Sequence, residues 1–342
     1  MTALKRQMRA LALDSYEEGT VFRDALINLP SPSAGQVQVK IFASGVNPID
    51  YKIRQGIAPY AMPELPAVLG TDLAGEIVAI GDGVTGFAVG DAVYGLTGGV
   101  RGLQGSLAEY ANVDAELLAL KPKNLSMREA AALPLVALTA WEGLVDKANV
   151  KAGQKVLIQG GAGGVGHVAV QIAKALGADV YATASTGKQQ RLKALGATPI
   201  DYHTASPAEY VDAYTQGKGF DIIYDTVGGS VLDASLGIIA HYGHILSCAA
   251  FGSHNLAPSS LRSATLSAIF VLHPQLSGEG RKHHGDILRQ ITALVEAGQI
   301  KPLLDPLRFS LDTAMDAHNA VELGSMGKVV IGVLGIFPSK KT

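Results

Sequence analysis

The sequence predicts an α/β protein of two domains, one an antiparallel, barrel-like β-unit and the other a parallel, doubly wound sheet. Three observations lead to this fold class. A length of 342 residues exceeds what one hydrophobic core usually organises. Short β-type runs separated by Gly, Pro and Asn fill the chain up to about Val113. Strands and helices then alternate from Lys155 onward, which is the pattern of a parallel sheet covered by helices.

The first domain is predicted from its β-type runs, which are Gln36–Ser44, Gly75–Ile80, Asp91–Tyr94 and Ser106–Val113. Runs of this length with turn residues between them are typical of antiparallel sheets. A helix from Ser126 to Leu138 follows, with Ser126 as its N-cap and Glu129 three positions further on. We place a domain boundary near the start of this helix.

The second domain is predicted from alternating strands and helices. The strands are Lys155–Gln159, Asp179–Thr183, Thr198–Tyr202, Asp221–Asp225 and His244–Ser247, and the helices include Val165–Leu176 and Lys188–Leu195. Parallel strands need long crossover connections, and helices of this length supply them. A doubly wound sheet is the expected result.

The last part of the chain contains a further apolar strand, Ser267–His273, and then a polar break, Ser277–His284. An amphipathic helix, Ile287–Ala297, and a closing strand, Lys328–Leu334, complete the pattern. We expect the tail to return to the first domain, which then comprises residues 1–127 and 278–342, with residues 128–277 as the second domain. An isolated apolar strand invites pairing with a copy of itself, so Ser267–His273 predicts a homodimer.

Composition excludes several classes of protein. The formal charge of -2, from 28 basic and 30 acidic residues, lacks the basic excess that nucleic-acid binding requires. The single cysteine, Cys248, cannot form an internal disulfide, and the N-terminal sequence lacks the apolar core of a secretory signal. The most apolar segment, Ala130–Leu138, is too short to span a membrane and contains Pro134. We therefore expect a cytoplasmic protein with a small-molecule partner, without nucleic-acid or membrane partners.

A glycine-rich loop indicates a dinucleotide site. The strand Lys155–Gln159 leads directly into a GxGxxG pattern, and the helix after it has one apolar face and stops at Gly177. Glycine lets pyrophosphate approach the backbone, where free amides and the helix dipole stabilise negative charge. The predicted cofactor-binding residues of the loop are Gly161, Ala162, Gly163, Gly164, Val165 and Gly166. The alternative is a purely structural strand–helix turn.

The choice of dinucleotide is predicted from the end of the second strand. An NAD enzyme usually carries Asp or Glu about 20 residues beyond the loop, to accept a hydrogen bond from the ribose. This chain has Ala184-Ser185-Thr186-Gly187-Lys188 there, with two hydroxyls and an ammonium that suit a 2′-phosphate. NADPH is therefore the predicted cofactor. Alternatively, Ser185 caps the next helix and Lys188 lies on its solvated face.

Several ordered motifs resemble those of the medium-chain dehydrogenase/reductase superfamily, and within it the zinc-free quinone oxidoreductases. In addition to the glycine loop they are Gly45–Asp50, Leu69–Gly75, Gly90–Val93, Leu133–Trp141 and Asp225–Gly229. The resemblance spans nearly the whole chain. It implies a GroES-like β-barrel catalytic domain made from both chain ends, a Rossmann domain inserted between them, and a cleft in which nicotinamide meets substrate.

The same resemblance assigns roles to individual residues. Asn47 and Thr139 match the catalytic groups that flank the nicotinamide, and Ser185, Lys188 and Tyr202 match the 2′-phosphate pocket. Two further positions, Phe270 and Leu272, match the strand whose backbone holds the carboxamide. Structural alternatives exist for some of them: Asn47 could hold a turn, Thr139 could be an ordinary helix residue, and Tyr202 could pack at a strand end.

The chain departs from the quinone reductases at one position, since Lys52 stands where they commonly place a tyrosine beside substrate. Tyr51, Tyr60 or Tyr94 could supply a substitute aromatic face. The loop Gly95–Gly105 could close over substrate or could be a long mobile connection.

No metal site is predicted. Zinc alcohol dehydrogenases of the superfamily place a cysteine in the segment that matches Gly45–Asp50 and a His-Glu pair after the glycine that matches Gly70. This sequence has Asn47 and Thr71-Asp72 at those places, and its sole thiol belongs to the second domain. Without a Lewis acid, direct hydride transfer to a conjugated acceptor is the natural chemistry.

The predicted activity is the NADPH-dependent reduction of a quinone or a related conjugated carbonyl acceptor. The alternative within the enzyme class is reduction of the carbon-carbon double bond of an enone or an enoyl thioester. An alternative from another class is a non-catalytic NADPH-binding structural protein, because fold by itself does not establish turnover.

Overall fold

The structure is a computed structural model and describes residues 7–334. The chain forms two compact units. Unit 1 contains the described parts of Met1–Leu135 and Pro302–Thr342 together with Leu272–Glu296, and unit 2 contains Val136–Val271 and Ala297–Lys301. The predicted fold class is confirmed, since one unit is mainly antiparallel and the other is a doubly wound parallel sheet. The domain limits predicted at 127/128 and 277/278 stay a prediction.

Unit 1 begins with eight strands: β1 (Gln7–Leu13), β2 (Arg23–Asn28), β3 (Gln36–Gly45), β4 (Ala67–Val68), β5 (Asp72–Ile80), β6 (Ala92–Leu96), β7 (Tyr110–Asp114) and β8 (Leu118–Leu120). Two helices accompany them, α1 (Pro48–Arg54) and α2 (Met127–Ala131). Alternate residues of β3, including Val37, Val39 and Ile41, are fully buried, as the period of two in a strand requires.

Unit 2 has six strands: β9 (Lys155–Gln159), β10 (Asp179–Ala184), β11 (Thr198–Asp201), β12 (Phe220–Asp225), β13 (Ile239–Ser247) and β14 (Thr265–Ala268). Its helices are α3 (Pro134–Trp141), which begins at the last residues of unit 1, α4 (Gly164–Ala175), α5 (Gln189–Ala194), α6 (Pro207–Thr215), α7 (Ser230–Ile238) and α8 (Ala257–Ser260). The remaining elements are α9 (His273–Ser277), α10 (Arg281–Glu296), β15 (Phe309–Ser310), α11 (Ala314–Glu322) and β16 (Val330–Gly332).

The large sheet of unit 1 joins strands from the N-terminal part of the chain, from β3 onward, with the last two strands, β15 and β16. Its strand order is β15-β16-β3-β5-β6-β8, and β7 also pairs with β3. Strand β16 pairs antiparallel with the end of β3, which places Val330 opposite Gly45. The predicted return of the tail to the first domain is therefore confirmed. A second, three-stranded sheet has the order β2-β1-β4.

The sheet of unit 2 is parallel throughout, with the order β11-β10-β9-β12-β13-β14. The order changes direction between β9 and β12, and ligands of such sheets bind at the carboxyl ends of the strands at this switch point. The buried core beneath includes Leu157, Ile223 and Ile245 from three neighbouring strands. The sheet therefore presents the end of β9 as the expected place for a dinucleotide.

Several predicted elements differ from the structure. The helix predicted over Ser126–Leu138 is two helices, α2 and α3, since Pro134 lacks the N–H that a continuous helix needs. The capping prediction is confirmed, because the Ser126 N–H donates to Glu129 Oε2 at 2.8 Å and the Glu129 N–H donates to Ser126 Oγ. Helix α10 begins at Arg281, within the predicted polar break, so its first turn is built from the polar residues Arg281–His284.

The strand predicted over Ser267–His273 is wrong in its second half and in its isolation. Strand β14 ends at Ala268 and pairs in parallel with β13. Residues Phe270 and Leu272 therefore lie beyond the strand. The chain turns there because α9 starts at His273 with Pro274 in its first turn, a position that suits the fixed φ of proline.

Candidate functional site

The cofactor loop, Gly160–Gly166, connects β9 to α4 as predicted. Gly160 has a φ of +73°, which favours glycine. A Cβ at Gly161 would lie 2.6 Å from the Cβ of Ala182 on the next strand. A Cβ at Gly166 would lie 2.2 Å from the carbonyl oxygen of Gly160. The glycines are thus required by the close approach of helix, turn and sheet, and this geometry suits a pyrophosphate.

The N-terminus of α4 can receive an anion. Gly163 is the N-cap of this 12-residue helix and has no side chain to cap it. The first N–H groups of an α-helix have no intrahelical acceptor, and the helix dipole places positive potential at the same end. Residues Gly164, Val165 and Gly166 carry these N–H groups. The loop therefore fits the pyrophosphate of a dinucleotide.

Buried polar side chains hold the cofactor loop in place, and the sequence analysis did not identify them. The Gly160 N–H donates to Thr183 Oγ1 at 3.1 Å, and Thr183 Oγ1 donates to Gln159 Oε1 at 2.7 Å. The Gly161 N–H donates to the Thr183 carbonyl oxygen at 2.9 Å. Thr226 Oγ1 donates to the Gln159 carbonyl oxygen at 2.7 Å. The three residues come from three adjacent strand ends, so no local pattern in the sequence could have identified the network.

The structure brings together the three residues predicted for the 2′-phosphate, which we call the phosphate edge: Ser185, Lys188 and Tyr202. Strands β10 and β11 are neighbours, and Ala184 pairs with Asp201, so Ser185 and Tyr202 follow adjacent strand ends. Ser185 is at an N-cap position but makes no side-chain capping bond. The side chain of Tyr202 is 55% exposed and stacks on His203 with ring centroids 4.4 Å apart.

Two residues beside the phosphate edge were missed. Gln189 Nε2 donates to the carbonyl oxygens of Ala184 and Ser185, at 2.8 and 3.2 Å, and so fixes the turn. Asp201 accepts a hydrogen bond from the Thr186 side chain, which lowers the pKa of its carboxyl and keeps it ionised at neutral pH. The segment 184–188 contains no carboxylate, yet the neighbouring strand supplies one. Only the pairing of β10 with β11 reveals it.

Thr139 lies in α3 of unit 2 and is buried. Its carbonyl oxygen accepts a hydrogen bond of 2.6 Å from the Tyr224 hydroxyl. Burial raises the pKa of Tyr224 well above its usual value, so the phenol stays protonated and keeps this bond. The chain after α3 forms a π-helical turn in which a Cβ at Gly143 would lie 2.8 Å from the Tyr224 ring. Tyr224 therefore fixes the backbone around Thr139.

Part of the backbone that is predicted to hold the carboxamide already makes a hydrogen bond within the protein. The carbonyl oxygen of Leu272 accepts from the Leu276 N–H at 3.1 Å, at the start of α9. The side chain of Leu272 is buried, whereas that of Phe270 is 39% exposed. The role of both residues stays a prediction.

Unit 1 contains a buried polar cluster made of Asn47, Asp50, Thr71, Asp72 and Lys328. Asn47 Nδ2 donates to Asp72 Oδ2 at 2.8 Å and to Thr71 Oγ1 at 3.1 Å. Its Oδ1 accepts from Lys328 Nζ, and its backbone N–H donates to Asp50 Oδ2 at 2.7 Å. All five residues are buried, and Asn47 has no accessible surface. The amide of Asn47 is therefore the centre of the cluster.

The polar cluster contains three buried ionisable groups, the carboxyls of Asp50 and Asp72 and the ammonium of Lys328. Burial raises the pKa of Asp50 to about 7 and that of Asp72 to about 6. Burial also lowers the pKa of Lys328, against the attraction of Asp72 and Asp50. Asp50 Oδ1 has no hydrogen-bond partner among residues 7–334. The cluster therefore changes its protonation near neutral pH.

Asn47 and Thr71-Asp72 are the places at which zinc dehydrogenases of this type carry ligands. An amide, a hydroxyl and one carboxylate, with a lysine ammonium against the amide oxygen, do not make a zinc ligand set. The described part of the chain contains no group of three His, Cys, Asp or Glu residues that could hold a metal. The donor chemistry here does not fit zinc.

The structure bears on two candidates for contact with substrate, Tyr94 and the loop Gly95–Gly105. Tyr94 is fully buried and its hydroxyl donates to the Leu288 carbonyl oxygen at 2.8 Å, so it offers no aromatic face to a ligand. The loop Gly95–Gly105 is attached to its neighbours: the Arg101 N–H donates to the Ala61 carbonyl oxygen at 3.0 Å and Arg101 Nε to that of Tyr60 at 2.8 Å. It is a hydrogen-bonded loop instead of a long free connection.

Comparisons with known proteins agree with this geometry. A family model described as an alcohol dehydrogenase GroES-like domain matches residues 33–123, and one described as a zinc-binding dehydrogenase matches residues 164–279. A 2-methylene-furan-3-one reductase from Solanum lycopersicum is 36% identical over 341 residues, which cover 96% of this chain and 80% of that protein. A chloroplastic NADPH-dependent alkenal/one oxidoreductase from Arabidopsis thaliana is 33% identical, with the same coverage of 96% and 80%.

A solved structure is similar over nearly the full length. The crystal structure of an alcohol dehydrogenase superfamily protein from Novosphingobium aromaticivorans has a TM-score of 0.92 and 52% identity, covering 95% of this chain and 99% of that one. Among the described residues, no helix has the length and apolar character needed to cross a bilayer. The chain is an oxidoreductase that uses a nicotinamide cofactor, and it belongs to the zinc-free branch of the medium-chain dehydrogenase/reductase superfamily.

Proposed function

We propose that this protein uses NADPH to reduce the carbon-carbon double bond of an α,β-unsaturated aldehyde or ketone. The observation that carries the proposal is that both relatives described above act, by name, on such acceptors, and each aligns with 96% of this chain. This is the alternative of the sequence analysis, and it has better support than quinone reduction, which was the main prediction.

The preference for NADPH is supported by the phosphate edge. Ser185 and Lys188 offer a hydroxyl and an ammonium to a phosphate dianion, and Tyr202 offers an exposed phenol. The Arabidopsis relative is named as NADPH-dependent. Asp201 opposes this preference through its negative charge, so the selectivity for NADPH is the balance of the two effects.

The chemistry requires one hydride and one proton. When bound, NADPH would supply the hydride that the β-carbon accepts, with the electron pair of the double bond moving to the carbonyl oxygen. The resulting enolate would take one proton at its α-carbon, and we assign no residue as its donor. The protein's share is to align the reactants and exclude solvent. We assign the binding of the pyrophosphate to the cofactor loop of unit 2.

We keep Asn47 and Thr139 as proposed neighbours of the nicotinamide, and Phe270 and Leu272 as proposed carboxamide contacts. Asn47 and Thr139 are buried in the described structure, so the proposal requires that binding gives them surface. The neighbours of Asn47 fix its amide, and Tyr224 fixes the backbone of Thr139. Pre-organised groups of this kind lose little freedom when a ligand binds.

An acceptor panel tests the proposed function. With NADPH at saturation, we expect trans-2-alkenals and α-methylene ketones to be turned over with a higher kcat/KM than ortho- or para-quinones and enoyl thioesters. Saturated aldehydes of equal length are the matched control and should be inert, because they lack the double bond. A higher kcat/KM for a quinone would reinstate the main prediction of the sequence analysis.

We propose a homodimer that forms along the outer edge of β14. Although β14 pairs with β13, it is last in the strand order, so one edge of its backbone has no partner strand within residues 7–334. Leu261 and Tyr242 nearby are 83% and 84% exposed and offer apolar surface beside this edge. Light scattering at micromolar concentration should give the mass of two chains, and a monomer at that concentration would contradict the proposal.

A further inference from the structure

The lysine of the polar cluster is buried, which is unusual because an ammonium group inside a protein loses its hydrating water. Lys328 is buried, and its Nζ donates to the Val46 carbonyl oxygen at 3.1 Å and to Asn47 Oδ1. The segment just before β16 brings it there, since β16 pairs with the end of β3 that precedes Val46. Such a group is retained only where opposite charge and hydrogen bonds compensate its burial.

The charges that act on Lys328 are the carboxylates of Asp72 and Asp50. Helix α2, which packs on β3, β5 and β16, carries Arg128 and Glu129. These two bond elsewhere: Arg128 donates to backbone carbonyl oxygens of residues 305 and 307, and Glu129 accepts from Ser126. The balance within the cluster is therefore set by its own three charged groups.

Lys328 and Asp72 bond to opposite ends of the Asn47 amide. The amide oxygen accepts from the ammonium, and the amide nitrogen donates to the carboxylate. Rotation of the amide by 180° would set a donor against the ammonium and an acceptor against the carboxylate, and both contacts would repel. The two charges thus allow a single orientation of Asn47.

We infer that Lys328 is a positioning residue for the reduction: its ammonium locks the Asn47 amide and thereby the start of α1. The inference rests on the proposed function. Asn47 immediately precedes α1, and its N–H is bound by Asp50 of that helix.

The test compares Lys328→Met, Lys328→Arg and a matched control, Lys121→Met. Lys121 is also in unit 1, and its ammonium donates to the backbone carbonyl oxygens of Pro122 and Leu125. The control therefore removes a partly buried, backbone-bonded ammonium that lies outside the polar cluster. The measurements are kcat and KM from pH 5.5 to 9, with the acceptor that the unmodified protein reduces fastest, and the affinity for NADPH.

We expect Lys328→Met to lower kcat by up to about a hundredfold, as a misplaced active-site group does, with a smaller change in NADPH affinity. Its pH profile should move to higher pH, since loss of the cation raises the pKa of Asp72 and Asp50. Lys328→Arg should restore the position of the profile, and Lys121→Met should keep both kcat and profile. An unchanged kcat and profile in folded Lys328→Met would overturn the inference.

A second measurement covers the case in which Lys328→Met does not fold. In the unmodified protein, the side-chain NH₂ of Asn47 should exchange with solvent far more slowly than that of Asn255, which lies on the surface of unit 2. Equal exchange rates would show that the amide is not locked, and the inference would fall. This measurement needs no turnover, so failure of the inference is distinguishable from failure of the proposed function.

Discussion

The cofactor loop of unit 2 and the polar cluster of unit 1 solve the problem of holding a site rigid in two different ways. The loop uses seven consecutive residues, in which missing side chains let backbone approach backbone. The cluster uses five side chains from three segments that lie up to 281 positions apart in the sequence. The cofactor loop has no room for an added side-chain atom. The polar cluster can accommodate changes in side-chain shape but depends on the charges of its members. Substitutions in the two regions should therefore fail in different ways.

The largest effect is expected at the cofactor loop. Gly166→Ala places a Cβ 2.2 Å from the Gly160 carbonyl oxygen, a backbone atom that cannot rotate away as the end of a flexible side chain could. We expect loss of NADPH binding and a destabilisation of about 3 kcal/mol or more, the upper end of the usual overpacking range. Calorimetry of binding and thermal unfolding measure the two quantities.

The matched control for this change is Gly237→Ala. Gly237 lies within α7 of the same unit, and a Cβ there meets nothing within 4 Å. Alanine in a helix interior stabilises by roughly 0.5–1 kcal/mol relative to glycine. If Gly166→Ala binds NADPH as well as Gly237→Ala does, the steric account of the loop is wrong.

A smaller effect is expected at the phosphate edge, which tests whether the loop or its neighbour selects the cofactor. Lys188→Ala should weaken NADPH by about tenfold to a hundredfold, the worth of one charge-assisted contact of roughly 1.5–3 kcal/mol. NADH, which lacks the phosphate, should be little affected. Ser185→Asp should do more, because it adds repulsion and offers the ribose of NADH an acceptor.

The controls for the phosphate edge come from kinetics. Both variants should keep much of their kcat once cofactor is saturating, because the defect is in binding. Equal weakening of NADH and NADPH by Lys188→Ala, or a preference for NADH in the unmodified protein, would contradict the assignment of Ser185 and Lys188.

The sequence could predict the features that depend on residues close together in the chain, and it could not predict those that depend on pairing between distant strands. The alternation of strands and helices, the place of the glycine-rich loop between β9 and α4 and the capping of α2 by Ser126 depend on neighbours in the chain, and the structure has them as predicted. Lys328 was not singled out, because its meaning depends on the pairing of β16 with β3. Asp201 was missed for the same reason, since it reaches the phosphate edge across a strand pair. Position in a sheet is not encoded in local pattern.

The polar cluster should show itself in the pH dependence of stability. Burial raises the pKa of Asp50 from 3.8 to about 7, so between these values the folded chain binds a proton that the unfolded chain releases. Stability from this group is complete below pH 4 and is lost as pH rises through about 7. Asp50→Asn keeps an oxygen acceptor but removes the titration.

Thermal unfolding of Asp50→Asn and the unmodified protein from pH 4 to 8 tests this. Relative to the unmodified protein, the variant should gain in Tm as pH rises, by about 2–4 °C for each kcal/mol at the size of these units. Asp24→Asn is the control, because its partner Arg9 lowers the pKa of Asp24 below 3.8 and its effect should be constant over this range. Parallel curves for Asp50→Asn would show that Asp50 is ionised throughout.

The smallest effect is expected at Asp201, which lies beside the phosphate edge because β11 pairs with β10. Asp201 accepts a hydrogen bond from Thr186 and is ionised, so it should repel the 2′-phosphate that we propose Ser185 and Lys188 to bind. Asp201→Asn keeps an oxygen that can accept from the His203 N–H, and it removes the charge. Exposed charges interact only weakly, so NADPH should bind up to about fivefold more tightly while NADH is unchanged. Because the carboxylate is exposed, the gain should shrink as salt is raised from 0.01 to 0.5 M, where screening shortens from roughly 30 Å to a few ångströms. A gain shared by NADH, or one that does not depend on salt, would mean that Asp201 acts by holding the turn. The selectivity for NADPH would then depend on Ser185, Lys188 and Tyr202 alone.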